Sequence, residues 1–510
     1  MTQVSRSKLL KGAGWVSAAT IAVNSLGILS TIILARLLVP EDFGLVAIAT
    51  ALVGIVGVLT EFSLTQALIQ HKNPSDEHYH TAWTMNVIRA LVVGSIIAAL
   101  GYPLSSFYED SRLVEILWLL GFITVIGGFA NPKMVVFKRA LSFRQAFIVK
   151  SCSKIAGFVT VVSIAWIYKS YWALILGSLA TEAAVLILTY VLKPFRPRLS
   201  LARYKELLSF SIWLTLGQWV QAVNWRSQPL LYGYLLPTGV LGQLSLSSRM
   251  VGRTIDQATS PIKAMLFPAF SRLQNEKERM RLGYIRSQGT ICLITFPIAA
   301  GFAVLAEEIV QLVIGEQWLP AVPLMQMIAL TRIFQTTQNL GSVALATANT
   351  KKLFHRDLRA FLIRWPLIIA GLYLGHRFGE GDPYWMLLGG MSGQMLTVAI
   401  NAVLNMRLLA KISPITLSDH WSFLWRPSLA VGGMYAAVHF AGRYLPMASD
   451  SFTKAAMVVS LIALGAVIYL LVLYALWLAG GRRETIEKEC AEILRDVIAK
   501  GFGKLSMGRS

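Results

Sequence analysis

The sequence predicts an all-α polytopic membrane protein, and three observations carry that prediction. Only 14% of the 510 residues are charged while 55% are hydrophobic, with a mean hydropathy of +0.58; a soluble domain carries roughly 25% charged residues. The few charges cluster between apolar runs of about 20 residues, the length a helix needs to cross a bilayer. The 47 Lys and Arg are also unevenly shared. Alternate connecting segments, counted from the N-terminus to the C-terminal tail, hold about 32 of them and the opposite set about 6, as the positive-inside rule describes. Both termini are therefore expected in the cytoplasm. The net charge of +21 follows from topology rather than from a nucleic-acid-binding face.

Taken in order, the apolar runs give about fourteen spans, centred near Ile21, Ala51, Val93, Phe122, Val159, Leu179, Trp219, Ile255, Phe296, Leu330, Ile369, Ser392, Ala436 and Leu464. Residues 1–195 would form an N-terminal lobe of spans one to six, and residues 196–410 a C-terminal lobe of spans seven to twelve. Residues 411–480 supply two extra C-terminal spans, and 481–510 a cytoplasmic tail. The first run, Gly12 to Leu34, is too long for a signal-peptide core and lacks a small-residue exit, so it reads as an uncleaved span. Pro40 opens the second helix, Glu41 and Asp42 suit its positive N-terminus, and Gly44 permits a close neighbour. In the tail, Ile486, Cys490, Ile493, Leu494, Val497 and Ile498 share a helical face, which reads as an amphipathic helix on the cytoplasmic leaflet; a frayed soluble tail is the alternative. Cys152, Cys292 and Cys490 lack the spacing of a zinc site or a disulfide framework.

An internal repeat is visible. Trp15 to Gly44 aligns with Trp213 to Gly242, pairing Trp15 with Trp213, Pro40 with Pro237 and Gly44 with Gly242. The offset of about 198 residues corresponds to an even number of spans, so the two copies run parallel through the membrane.

The stretch LARLLVPEDFGLVAIATALVGIVGVLTEFSLTQALIQ, Leu34 to Gln70, resembles the start of the Wzx-type polysaccharide flippases of the multidrug/oligosaccharidyl-lipid/polysaccharide superfamily. KRALSFRQ, Lys138 to Gln145, and FPAFSRLQ, Phe267 to Gln274, add to the resemblance. Relatives often carry a small residue after the acid matching Glu61, and Phe62 departs from that pattern. The resemblance implies two six-helix lobes in a V-shaped arrangement. It also implies a secondary transporter of the bacterial cytoplasmic (inner) membrane that moves undecaprenyl-diphosphate-linked oligosaccharide from the cytoplasmic to the periplasmic leaflet. Its products would feed exopolysaccharide, capsule or O-antigen assembly, with polysaccharide polymerase and export machinery as expected partners.

Ionisable residues within spans bear on the cargo, because a charge at the bilayer centre costs on the order of 3 kcal/mol or more and therefore faces a wet cavity or a partner. The basic ones are Arg89, Lys150, Lys154, Arg226, Arg249, Arg253, Lys263, Arg332 and Arg364; the acids are Glu61, Glu182 and Asp256. A basic excess suits an anion such as a lipid diphosphate, which Arg grips through its planar fork. Arg249, Arg253 and Asp256 stand at i, i+4 and i+7 on one face of the eighth span, and Lys150 and Lys154 make an i, i+4 pair in the fifth. Arg249, Arg253, Lys150, Lys154, Arg226, Arg332 and Arg89 are the candidate substrate-binding cations, and Asp256 and Glu61 the candidate coupling acids. Lys150, Arg364 and Arg89 sit near enough to span edges to snorkel or to serve helix packing instead, and Asp256 also suits an ion pair with Arg253.

No metal or cofactor is expected. His71, His78 and His80 bracket a short loop in which Asp76 and Glu77 offer further ligands, but a solvated loop is the simpler reading. GFGKLS in the tail lacks the first glycine of a phosphate loop, which would fall at Ile498. Trp219 or Trp225 could stack on sugars. Two rivals remain open: a multidrug exporter of the same superfamily, which calls for an acidic cavity, and a membrane-embedded glycan polymerase or ligase, which calls for a long outward segment. Neither feature is evident, so no enzyme is expected.

Overall fold

Every regular element among the described residues is a helix in the computed structural model. The structure describes residues 23–479, apart from 24, 61–63, 72, 141, 143, 208–211 and 445–450. The expectations for the first span's centre at Ile21, for Glu61 and for the amphipathic tail lie outside the described residues.

The principal helices are α1 (Ser25–Leu37), α2 (Pro40–Leu59), α3 (Asp76–Ala99), α4 (Arg112–Gly128), α5 (Arg144–Tyr168), α6 (Trp172–Leu192) and α7 (Ile212–Arg226). They continue with α8 (Thr238–Arg272), α9 (Lys277–Val304), α10 (Val322–Thr336), α11 (Thr350–Phe378), α12 (Pro383–Ile412), α13 (Leu417–Tyr444) and α14 (Ser451–Ala479). Each expected span centre other than Ile21 falls inside one of them. Eight are long and apolar enough to cross a bilayer: α2, α3 with its continuation to Phe107, α5, α6, α9, α11, α12 and α14 from Phe452 onward. A ninth is added if α4 and the Pro132–Arg139 segment, bent by 57° from each other, form one span. The charged α8 and the shorter α7 and α10 are helical without meeting that test.

Apolar side chains stay exposed along these helices. Trp166, Ile167, Ile187 and Val191 do so on the α5–α6 hairpin, and Val459, Ile462, Leu470 and Leu471 on α14. Such a surface is incompatible with water at this scale but natural against lipid tails, where the helix has already satisfied its own backbone.

The chain divides into two compact units. The first contains residues 1–257, 313–324 and 350–394; its helices pair as α3 with α4, α5 with α6, and α7 with both α2 and α11. One of its cores gathers Leu68, Tyr79, Met85, Val135, Phe195 and Leu207 around the start of α3. The second contains residues 258–312, 325–349 and 395–510 and centres on α9, α13 and α14, with Ala430, Met434, Leu461 and Tyr469 in its core.

Within the first unit the repeated PEDFG and PTGVLG turns meet. A Cβ placed on Gly44 would lie 2.7 Å from the carbonyl carbon of Thr238 and 3.1 Å from the nitrogen of Gly242. One placed on Gly242 would lie 2.6 Å from the carbonyl carbon of Pro40 and 3.1 Å from the nitrogen of Gly44. Each glycine thus makes room for the other copy's first helical turn, a reciprocal contact of the kind a two-fold axis generates. The end of α1 beside this contact is closed by side chains. Trp318 Nε1 and Gln317 Nε2 donate to the Ala35 carbonyl at 2.7 and 2.8 Å, satisfying a carbonyl that the helix leaves open. The buried Trp318 ring then meets Phe43 edge-on at 5.3 Å.

Candidate functional site

Lys154 on α5 and Arg249 and Arg253 on α8 come together in the first unit. Lys154 lies within electrostatic reach of both arginines, and Arg249 within reach of Arg253. Arg253 is also anchored: its Nη1 donates to the Gly27 carbonyl at 3.2 Å and to Thr31 Oγ1 at 3.1 Å, both on α1. Among the described residues, no carboxylate pairs with any of the three. Three like charges without a counter-ion repel one another, and the arrangement is relieved by an anion that offers several oxygens at once.

A second pair of cations leans on α2. Arg226 at the end of α7 passes so close to Gly54 that a Cβ there would lie 3.0 Å from its Cδ, and Arg89 on α3 reaches the Gly57 carbonyl at 3.5 Å. Gly54 and Gly57 are one turn apart, so both guanidinium groups address one face of α2. Lys150 is exposed one turn before Lys154, and Asp256 is exposed on α8. Arg332 belongs to the second unit, on α10.

Of the two structural alternatives for Arg364, snorkelling and helix packing, the structure shows the second: it is 1% exposed, and its guanidinium donates to the Asn224 carbonyl and, at 2.8 Å, to Gln228 Oε1. The Trp225 ring lies 4.3 Å beneath it, so this tryptophan serves a buried cation. Seven residues earlier on α11, Asp357 is buried between Arg356, at 3.1 Å, and Gln221 Nε2, at 2.9 Å. Sequence reasoning missed this polar seam between α7 and α11. The signal was present in amides rather than charges, since Gln221, Asn224, Trp225 and Gln228 stand at i, i+3, i+4 and i+7, matching Asp357 and Arg364 at i and i+7.

The connector between α6 and α7 is also built of charges. Arg203 donates to Glu206 Oε1 at 2.7 Å, and this hydrogen bond, with His78 on the other oxygen, holds the exposed Glu206 carboxyl down at about 2.

A sequence model of the family described as polysaccharide biosynthesis protein matches residues 33–323, more than half of the chain. The chain belongs to that family. Among curated relatives of this chain, the lipopolysaccharide biosynthesis protein WzxC of Escherichia coli (strain K12) is 25% identical over 431 residues, covering 83% of this chain and 85% of the relative. The succinoglycan biosynthesis transport protein ExoT of Rhizobium meliloti (strain 1021) is 24% identical over 334 residues, covering 64% and 67%. In fold, the chain is similar to the lipid II flippase MurJ in an inward closed conformation, with a TM-score of 0.68, 14% identity, and 90% of this chain and 98% of that chain covered. It is also similar to the MATE multidrug transporter DinF-BH, with a TM-score of 0.53, 15% identity, and 80% and 96% covered. The family match encloses Lys154, Arg249 and Arg253, together with Arg89, Lys150, Arg226 and Asp256. Arg332, Asp357 and Arg364 lie beyond it.

Proposed function

We propose that this protein is a secondary transporter that flips undecaprenyl-diphosphate-linked oligosaccharide repeat units from the cytoplasmic to the periplasmic leaflet of the bacterial inner membrane, with both termini in the cytoplasm. The observation that carries the reading is the group of Lys154, Arg249 and Arg253, three neighbouring cations with no carboxylate partner among the described residues. A diphosphate presents several charged oxygens within a few ångströms and matches both the fork of an arginine and the point charge of a lysine. An organic cation, the cargo of a multidrug exporter, would meet repulsion at the same place. The names of the relatives, which concern lipopolysaccharide and succinoglycan, fit a glycan cargo. Loading takes place from the cytoplasm and release follows by alternating access, with Arg89, Lys150, Arg226 and Arg332 as further cavity cations and Asp256 or Glu61 as coupling acids. A polysaccharide polymerase and export machinery receive the product.

The test is substitution of the cations one at a time in the protein's host, with the leaflet distribution of the lipid-linked repeat unit as the readout. Arg249→Ala and Arg253→Ala are each expected to lower transfer about 10- to 100-fold, the equivalent of the roughly 1.5–3 kcal/mol of a hydrogen bond to a charged group. The protein level in the membrane stays unchanged, and repeat units accumulate in the cytoplasmic leaflet. Normal transfer in both variants would remove these arginines from the binding site. Altered glycan length with normal leaflet transfer would mark a polymerase or ligase instead.

A further inference from the structure

The loop of His71, His78 and His80 is divided by the fold in a way that transport does not use. Its acids are engaged elsewhere: Asp76 bonds Lys133 Nζ at 2.8 Å, and Glu77 accepts from Ser200 Oγ at 2.9 Å. His80 is engaged as well, with Nδ1 accepting from the Arg198 backbone N–H at 3.1 Å and its ring stacked on Phe195 at 5.1 Å. His71 and His78 instead converge on a residue from the distant α6–α7 connector. Glu206 Oε2 lies 3.0 Å from His78 Nε2 and 3.6 Å from His71 Nε2, and all three atoms fall within 4.8 Å of one another.

From this convergence we infer that His71, His78 and Glu206 bind a divalent transition-metal ion of the zinc class. Ligand atoms held about 2.0–2.2 Å from a tetrahedral zinc ion stand about 3.3 Å apart. The two observed nitrogen–oxygen separations fall on either side of that value. Two imidazoles and one carboxylate are a ligand set suited to zinc rather than to magnesium or calcium, which favour oxygen donors.

The surroundings orient the donors as a metal site requires. His78 Nδ1 accepts from the Ser75 backbone N–H at 3.1 Å and lies 2.8 Å from Ser75 Oγ, which fixes the ring with Nε2 facing Glu206; a metal ion at Nε2 takes the place of the proton that Nε2 otherwise shares with Glu206 Oε2. His78 is itself fixed in the first turn of α3, where the same ring takes part in the capping of the helix by Ser75. Arg203 holds the other carboxylate oxygen of Glu206 at 2.7 Å and so turns Oε2 towards the histidines. Among the described residues, His71 Nδ1 is buried without a hydrogen-bond partner. The Glu206 side chain is 41% exposed, which leaves the fourth coordination position open to water. A bound ion would staple the turn before α3 to the connector between the two repeats.

The experiment uses the full-length protein purified in detergent, stripped with a chelator and titrated with Zn2+ against a chromophoric indicator, with bound metal counted by mass spectrometry. The wild type is expected to take up one saturable equivalent. His71→Gln and Glu206→Gln are each expected to weaken uptake at least 10-fold, while His80→Gln leaves it unchanged. Cobalt(II) gives a second readout that does not depend on transport: visible absorption bands of a four-coordinate ion in the wild type, lost in His71→Gln. Absence of a stoichiometric equivalent in the wild type, full uptake in His71→Gln and Glu206→Gln, or an equal loss in His80→Gln would each overturn the site.

Discussion

Arg364 illustrates how a single residue escapes a reading based on position along the chain. Its charge is visible in the sequence, but what buries it is a pair of amides and an indole about 140 residues earlier, on the other side of the α7–α11 seam. Lys154, Arg249 and Arg253 stand out in the sequence, since a charge deep in an apolar run announces itself; helical spacing puts Arg249 and Arg253 on one face, but the approach of Lys154 to them is a tertiary contact that spacing alone does not give. Arg364 is a structural cation on this geometry, so its substitution is expected to act on stability. Arg364→Ala leaves Gln228 Oε1 and the Asn224 carbonyl without their donor, at about 1–3 kcal/mol for each buried group left unmade. Arg364→Lys is expected to recover only part of this, because an ammonium cannot serve two acceptors and lie flat on Trp225 as the planar fork does. Thermal unfolding of the purified variants, followed by Trp fluorescence, measures the loss. Lys restoring the full wild-type midpoint would show that charge alone suffices there.

At the scale of elements, helix existence was legible almost everywhere, because each apolar run of sufficient length has no other way to satisfy its backbone in lipid. What local sequence could not supply was how α8, with Arg249, Arg253 and Asp256 interrupting its apolar character, stays helical for 35 residues through Pro261 and Pro268. Nor could periodicity locate the partner of Gly44, although the repeated Pro and Gly gave the clue: the two copies are neighbours in space. The contact makes a sharp prediction. Gly44→Ala and Gly242→Ala each force a methyl against the other copy's backbone carbonyl, which cannot rotate away as a side chain does. Each is expected to destabilise by about 1–3 kcal/mol, the cost of overpacking. Gly57→Ala on the same helix meets nothing within 4 Å and is expected to be neutral or stabilising by up to about 1 kcal/mol, since alanine loses less freedom in a helix. Equal midpoints for the three variants would dissolve the reciprocal contact.

For the molecule as a whole, the proposed cargo and the proposed orientation combine into a statement about energy. On the proposed function, transport draws on gradients across the membrane. A diphosphate head carries negative charge outward, and an inside-negative potential favours that movement by about 2.3 kcal/mol per charge for each 100 mV. Fixed cations such as Lys154, Arg249 and Arg253 stay with the protein, so they lower the cost of bringing the head into the membrane without cancelling the charge that crosses. Transfer of a lipid diphosphate into the outer leaflet of proteoliposomes is therefore expected to rise when a potassium diffusion potential, negative inside, is imposed, and to fall when its sign is reversed. The reversed arm guards against a general effect of the ionophore, because only a charged step changes direction with the field. If equal rates are found under both signs, charge movement is compensated by a co-transported cation. Repeating the measurement with sodium removed and then with the proton gradient collapsed would identify which one, and the acid whose neutralisation restores voltage dependence would be the coupling group.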